Sequence, residues 1–298
     1  MTKARVALVV KRSTWRLFVE ERKDPLYRKL VARNDPTVAS LRRSHEEHER
    51  TLREVKDALA DLGVEVTPFL PSQRFDAKPF DLVITVGGDG TLLSASHNVA
   101  TVPVLAVNSA PSYSVGFFCG ARTGGAGKAI ARALRGTLRR TELARMRVCV
   151  NDEVVAGRVL NDALFCHASP AATTRYLVQL GRQVEEQKSS GFWIGPAAGS
   201  TAAQRSAGGK VLPLGSRDLQ LVVREPYTPH GERYRWRHAL VKPGRRLVVR
   251  CKSYEAKLFF DGPDRVAKVQ RGDVVEFALA EEPLILLGIG ARRRWGTR

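Results

Sequence analysis

Hydrophobic and polar positions change their spacing twice along the chain. Arg5 to Val10 is a short β-branched run of strand type, and Leu82 to Val86 and Val102 to Val107 repeat it as buried strands. Between them, Val38, Leu41, His45, His48, Leu52, Val55, Leu59 and Leu62 fall three and four apart, which predicts an amphipathic helix over 36–62 stopped by Gly63. Residues 13–35 show no period, and Pro25 and Pro36 read as breakers of a basic surface excursion. Val64 to Pro68 predicts a second strand, a helix follows Thr91, and Gly124 to Leu138 predicts another. Strands alternating with helices imply a doubly wound parallel sheet over 1–140.

From about Thr141 the period becomes two. Short β runs at 147–150, 154–160, 176–180, 219–223, 247–250, 257–260 and 274–278 are separated by turn pairs such as Asn151-Asp152, Pro243-Gly244, Asp261-Gly262 and Arg271-Gly272. The expectation for 141–280 is an all-β sandwich of antiparallel sheets. Residues 225–245 read as a long polar loop. For 281–298, Leu284 to Leu287 is expected to be a last strand that returns to the first domain, ahead of a basic tail. The fold class is thus α/β plus all-β in one chain.

The 298 residues suffice for two modest domains, and the net charge of +19 suits polyanionic ligands such as nucleotides. The basic residues are spread along the chain, densest at Arg292-Arg293-Arg294, without the interleaved aromatics of a nucleic-acid surface. A specific nucleic-acid partner is therefore not expected. No apolar run reaches membrane-spanning length, so no membrane partner is expected either. Cys119, Cys149, Cys166 and Cys251 lie far apart without a Cys-x-x-Cys pair, as in a reduced cytoplasmic protein. His45 and His48 are spaced three apart, whereas a zinc-protease helix needs four, and they read as a helix face.

Candidate chemistry begins where the strand ending at Val86 meets Gly87-Gly88-Asp89-Gly90-Thr91. A strand, a glycine turn and a helix in succession form a phosphate cradle, in which backbone N–H groups and the helix dipole favour an anion. Asp89 is at odds with simple phosphate binding, because its carboxylate repels the phosphate unless it handles a proton or an ion. A second cluster runs from Ser190 to Gly209. Gly199-Ser200-Thr201-Ala202, then Ser206-Ala207-Gly208-Gly209, predict a glycine-hydroxyl loop opening a small-residue helix, with donors for ribose, phosphate or carboxamide.

The first motif resembles the nucleotide site of NAD kinases and of diacylglycerol and sphingosine lipid kinases, and more loosely that of phosphofructokinases. With Asn108, Asn161-Asp162 and the second glycine loop in this order, the chain is identified as a member of the NAD kinase family. It is most similar to the branch of plant NADH kinases and the animal mitochondrial NAD kinase. The resemblance implies transfer of the ATP γ-phosphate to the 2′-hydroxyl of the adenosine ribose of NAD or NADH. It implies Asp89 as catalytic residue, Gly87, Gly88, Gly90 and Thr91 as phosphate ligands, and Mg²⁺ carried by ATP rather than by a protein cage. For the dinucleotide it implies Asn108, Asn161, Asp162, Ser200, Thr201, Ala202 and Ser206, and for the assembly a homodimer or higher homo-oligomer. Many bacterial members have Asn-Glu where this chain has Asn161-Asp162, Asp-Gly at Ser190-Gly191, and tyrosine at Ala203. The alternatives are a lipid kinase, which would not need the second cluster, and a dinucleotide-binding regulator without catalysis, against which Asp89 speaks.

Overall fold

The computed structural model describes residues 3–231 and 233–291; the Arg292-Arg293-Arg294 cluster lies outside the described residues. Among the described residues the chain divides into two compact units, one formed by residues 3–141 with Ile285–Gly290, the other by Glu142–Leu284 with Ala291.

The first unit runs β1 (Arg5–Val10), α1 (Pro25–Ala32), α2 (Leu41–Asp61), β2 (Glu65–Phe69), β3 (Leu82–Gly87), α3 (Asp89–Ser96), β4 (Val104–Asn108), β5 (Ala121–Arg122), α4 (Ala126–Leu134) and β6 (Arg140–Leu143). The chain later adds a last strand, Leu284–Leu287, which pairs in parallel with β4. The sheet order begins β2-β1-β3-β4, every neighbouring pair in that stretch being parallel. Both faces of β3 and β4 are buried, which explains their unbroken apolar sequence. One face packs Val6, Leu8, Ile84, Val86, Leu105 and Val107 against Leu52, Val55 and Leu59 of α2 and Ile130 of α4. Helix α3 packs on β1, β3 and β4. From β1 the chain proceeds to one side and from β3 to the other, so the strand order reverses between them. In open α/β sheets ligands bind at the carboxyl ends of the strands at this reversal. Gly87 ends β3 there.

The second unit contains twelve strands among the described residues: β7 (Met146–Val150), β8 (Glu153–Val159), β9 (Ala163–His167), β10 (Thr174–Leu180), β11 (Gln183–Ser189), β12 (Phe192–Gly195), β13 (Leu219–Val223), β14 (His238–Val241), β15 (Arg246–Cys251), β16 (Glu255–Phe260), β17 (Val266–Gln270) and β18 (Val274–Leu279). They form two antiparallel sheets, β11-β10-β15-β18-β7-β8 and β14-β13-β12-β9-β16-β17. Their inner faces share one core, in which the rings of Phe165, Tyr176, Phe192 and Phe277 meet at centroid distances of 5.2–5.8 Å. All four cysteines are free thiols.

Two local readings change. Residues 13–35 are mostly helical: a π-helical segment Trp15–Glu21 precedes α1, and the Phe18 and Tyr27 rings stack at 4.5 Å. Pro25 starts a helix, since at the first helical position its missing N–H costs nothing; the Asp24 carboxylate accepts from Leu26 and Tyr27 N–H. Asp35-Pro36 starts a 3₁₀ turn in the same way, and α2 begins only at Leu41. The stretch 225–245, expected to be a loop, contains β14. This strand pairs on one side only, and two of its four residues, His238 and Leu240, stay exposed.

Candidate functional site

In the first unit, Gly88 precedes α3 and Asp89 is its first residue, which places a carboxylate at the positive end of the helix. Asp89 Oδ2 accepts from Phe117 N–H and Oδ1 from Phe118 N–H, both at 2.8 Å. The loop after β4 thus closes on the glycine turn and fixes the plane of the carboxylate, while each oxygen retains acceptor capacity for a further donor. Asp89 is half-buried and Gly90 is exposed. A Cβ on Gly90 would meet nothing within 4 Å, so the space above it is open to a ligand. Gly87 and Gly88 are constrained by the protein itself: a Cβ would stand 2.1 Å from Thr91 Oγ1 and 2.5 Å from Ser114 Oγ respectively. Thr91 is buried, its side chain packed over Gly87.

Asn108 ends β4 and is buried. Its Nδ2 donates to Ser114 O at 2.9 Å and its Oδ1 accepts from Ala110 N–H at 3.3 Å. Its amide therefore shapes its own loop, and Gly116, at φ +60°, is glycine because a Cβ would lie 2.3 Å from Asn108 Nδ2. Helix α2 supports this loop with His48, which periodicity placed on its apolar stripe, and with Glu47 and Thr51, which periodicity did not single out. His48 Nδ1 and Ser109 Oγ are 2.8 Å apart, Thr51 Oγ1 donates to Ser109 O at 3.0 Å, and Glu47 Oε1 accepts from Ser112 Oγ at 3.2 Å. His48 is buried, and burial, followed by the charges of Lys11 and His45, lowers its pKa against the pull of Glu49. A neutral imidazole results, also hydrogen-bonded to the Lys11 backbone. The available signal was polar residues on a core-facing stripe, since buried polar groups need partners.

In the second unit, Asn161 and Asp162 follow β8. Leu160, Asn161 and Asp162 all direct their N–H groups to the carboxylate of Asp261, at 2.9, 2.6 and 3.2 Å. On the other side, Gly195 and Gly199 lie so close to Asn161 O that a Cβ would stand 2.2 or 1.6 Å from it, and Gln204 Nε2 donates to this oxygen at 3.3 Å. The backbone is held on both sides and the side chains are not. Asn161 Oδ1 is buried without a hydrogen-bond partner among the described residues. The Asp162 carboxyl, 6 % exposed, is pushed up to about 7 by burial first and by the Asp261 charge second, with no hydrogen bond to hold it down.

The second glycine loop forms a 3₁₀ turn, Ala197–Thr201, and a single α turn, α5 (Ala203–Ser206), ended by Gly208 at φ +91°. The small-residue helix is therefore corrected to two short turns. The glycines here serve close approach to Asn161 rather than helix packing. The free donor expected of Ser200 is also corrected: its buried hydroxyl donates to Ala197 O at 2.6 Å and accepts from Leu212 N–H at 2.9 Å. Thr201 and Ala202 are half-buried, and Ser206 and Arg205 are exposed. Asn161, Asp162 and the 195–204 segment come together with Asp261, which the turn signal alone did not single out.

The sequence profile of the ATP-NAD kinase N-terminal domain matches residues 6–137. A probable NADH kinase of Oryza sativa subsp. japonica is 33 % identical over 264 residues, 80 % of each chain. The NADH kinase of Arabidopsis thaliana is 33 % identical over 78 % of this chain and 80 % of its own. Among solved structures, the fold is similar to an NAD kinase from Archaeoglobus fulgidus in complex with ATP, with a TM-score of 0.69 at 20 % identity over 97 % of this chain and 96 % of that one. Yeast NADH kinase complexed with NADH is similar at a TM-score of 0.66 and 14 % identity, over 97 % and 84 % of the two chains. With a third of its residues shared with plant NADH kinases over four-fifths of the chain, the protein belongs to the NAD kinase family.

Proposed function

We propose that Asp89 is the catalytic base of this NAD(H) kinase. The activity is transfer of the γ-phosphate of ATP to the 2′-hydroxyl of the adenosine ribose of NAD or NADH. The observation that carries the assignment is the Asp89 carboxylate, pinned by two backbone amides at the first position of α3, where the strand order reverses. A ribose hydroxyl is a weak nucleophile at neutral pH, and a fixed carboxylate orients it and accepts its proton as attack proceeds. The oxygen–phosphorus bond to the ribose forms, the bond from the γ-phosphorus to the ADP oxygen breaks, and the proton passes to Asp89.

The open space above Gly90, with the amides of Gly87, Gly88 and Gly90, receives phosphate, whereas Thr91 N–H donates to Gly88 O at 3.0 Å and the Thr91 side chain packs over Gly87, so Thr91 shapes the turn. Asn161 and Asp162 bind the dinucleotide through the side-chain atoms that the fold leaves without partners, with Thr201, Ala202 and Ser206 beside them. Asn108 and Ser200 act through backbone and loop shape, because their polar side chains already serve the fold. The resemblance to the family is the ground for assigning Mg²⁺ as carried by ATP, and dependence of the product yield on added Mg²⁺ tests it. Among the described residues no helix is long and apolar enough to cross a membrane. The resemblance to the family is the ground for assigning a homo-oligomer, and the scattered free cysteines are the ground for a cytoplasmic site of action; light scattering of the purified chain and imaging of a tagged one test these.

The deciding assay offers NAD and NADH in parallel with ATP and Mg²⁺ and measures 2′-phosphorylated product. Wild-type product that disappears in Asp89→Asn, with NAD(H) binding retained, is the expected result. Undiminished product in that variant would place the base elsewhere. A lipid kinase is not favoured, since the matching relatives are NADH kinases.

A further inference from the structure

The Asp261-Gly262 pair reads as an ordinary turn after β16, yet its carboxylate does more than a turn requires. Asp261 has φ +52°, in the left-handed region that aspartate tolerates better than most residues. From there its two oxygens collect three consecutive N–H groups, those of Leu160, Asn161 and Asp162, about a hundred residues earlier in the chain. Its own N–H returns a bond to Asp162 O at 3.0 Å. Three successive amides converging on one anion form the same concavity that elsewhere binds phosphate, here filled by a side chain.

Asp261 therefore devotes four hydrogen bonds to the backbone of 160–162, while Asn161 Oδ1 and the Asp162 carboxyl receive none from the described residues. A segment needed only for stability would satisfy its own polar side chains as well, because an unpaired buried polar group is costly. We infer that Asp261 is a positioning residue for NAD(H), which presents Asn161 and Asp162 to the dinucleotide by holding their backbone from behind.

This inference rests on the assignment of Asn161 and Asp162 to dinucleotide binding. It also explains a second observation. The Asp261 charge stands next to Asp162 with no other charged group acting on that carboxyl, while Arg145, flanked by Arg158 and Glu282, interacts with Asp261. Asp261 thus fixes the place of Asp162 and adds to the effect of burial in raising its pKa.

The test is Asp261→Asn in the full-length enzyme. Asparagine keeps the volume but turns a donor toward amides that need an acceptor, and it removes the charge. KM for NAD(H) should rise about tenfold or more, with KM for ATP within about twofold, the ratio expected when uniform binding of one substrate is lost. The midpoint of the pH dependence of KM for NAD(H) should also move to lower pH in Asp261→Asn and stay near the wild-type value in Asp261→Glu, which restores the charge. Equal rises in both KM values, or an unchanged KM for NAD(H), would overturn the inference. If Asp261→Asn fails to fold, Asp261→Glu, which keeps charge and acceptors but displaces them by one methylene, should give the same selective rise in smaller measure; a proportional loss for both substrates overturns it. Asn161→Ala and Asp162→Ala separate the two layers of the argument. If neither alters KM for NAD(H), the dinucleotide assignment itself fails. If both do and Asp261→Asn does not, only the positioning role fails.

Discussion

Asp89 and Asp162 are opposite solutions to placing a carboxylate in a glycine-rich setting. In the first unit the fold directs its hydrogen bonds to the acid itself: both Asp89 oxygens are held by amides at the start of a helix. In the second unit the hydrogen bonds go to the backbone around the acid, and Asp162 is left buried beside a like charge. The first arrangement gives a charged group of fixed orientation. The second gives a group poised between charge states near neutrality, at a cost in stability. A proton acceptor in phosphoryl transfer needs the former, and a contact that waits for a ligand can tolerate the latter.

The strongest way to break this contrast is at Asp89. Asp89→Asn should lower kcat by about 10²–10⁴, the range for loss of a general base, with nucleotide binding retained in a calorimetric titration. A loss confined to KM would make Asp89 a binding residue like Asp162.

Gly90→Ala sharpens the assignment of the open face. The new Cβ meets nothing in the protein and sits in the first turn of α3, where alanine is favoured over glycine by up to about 1 kcal/mol. Tm should hold or rise while KM for ATP rises about tenfold, by our estimate from blocked backbone approach. An unchanged KM for ATP would remove phosphate from this face.

At Asp162 the expected effect is on stability and depends on pH. The unfolded carboxyl ionises near its ordinary 3.8, whereas the folded one holds its proton up to about 7. Between these values the native state binds the extra proton, so stability falls as pH rises and the full cost is present above about 7. The interval is about three pH units at about 1.4 kcal/mol each, which sets a ceiling of about 4 kcal/mol. Asp162→Asn should therefore raise Tm at pH 8 and leave it nearly unchanged at pH 4. A variant less stable than wild type at pH 8 would show that Asp162 is satisfied within the fold.

The smallest effect is expected at Glu54, a third carboxylate that serves only the fold. Its oxygens accept from Gly124, Ala126 and Gly127 N–H at 2.7, 2.8 and 3.3 Å, which caps α4. Glu54→Ala should cost about 1–2 kcal/mol in denaturant unfolding and leave both KM values unchanged. A kinetic phenotype would mean that α4 takes part in substrate binding.

Legibility in the sequence followed the range of the interactions. Strand β3 and the Gly-Gly-Asp-Gly-Thr turn were readable because an apolar β-branched run and a glycine cluster act on their immediate neighbours. Strand β11 was not, because it forms the edge of a sheet and carries the polar residues of an edge; the edge strands β14 and β17 and the inner strands β9 and β12 were missed as well. Helix α1 was missed because proline was read as a breaker where it served as a starter.

The sequence by itself determined the two-part architecture, the place of Asp89 at a strand-to-helix turn, and the set of polar residues available for binding. Periodicity and turn chemistry are local, and they survive in one dimension. Only the tertiary structure decided which of those residues are at liberty to bind. Ser200 and Asn108 are committed to their own loops, Asn161 Oδ1 and the Asp162 carboxyl are left without hydrogen bonds from the described residues, and Asp261 is joined to amides a hundred residues away. Hydrogen-bond satisfaction is settled by what packs beside a group after folding, and spacing along the chain does not encode it.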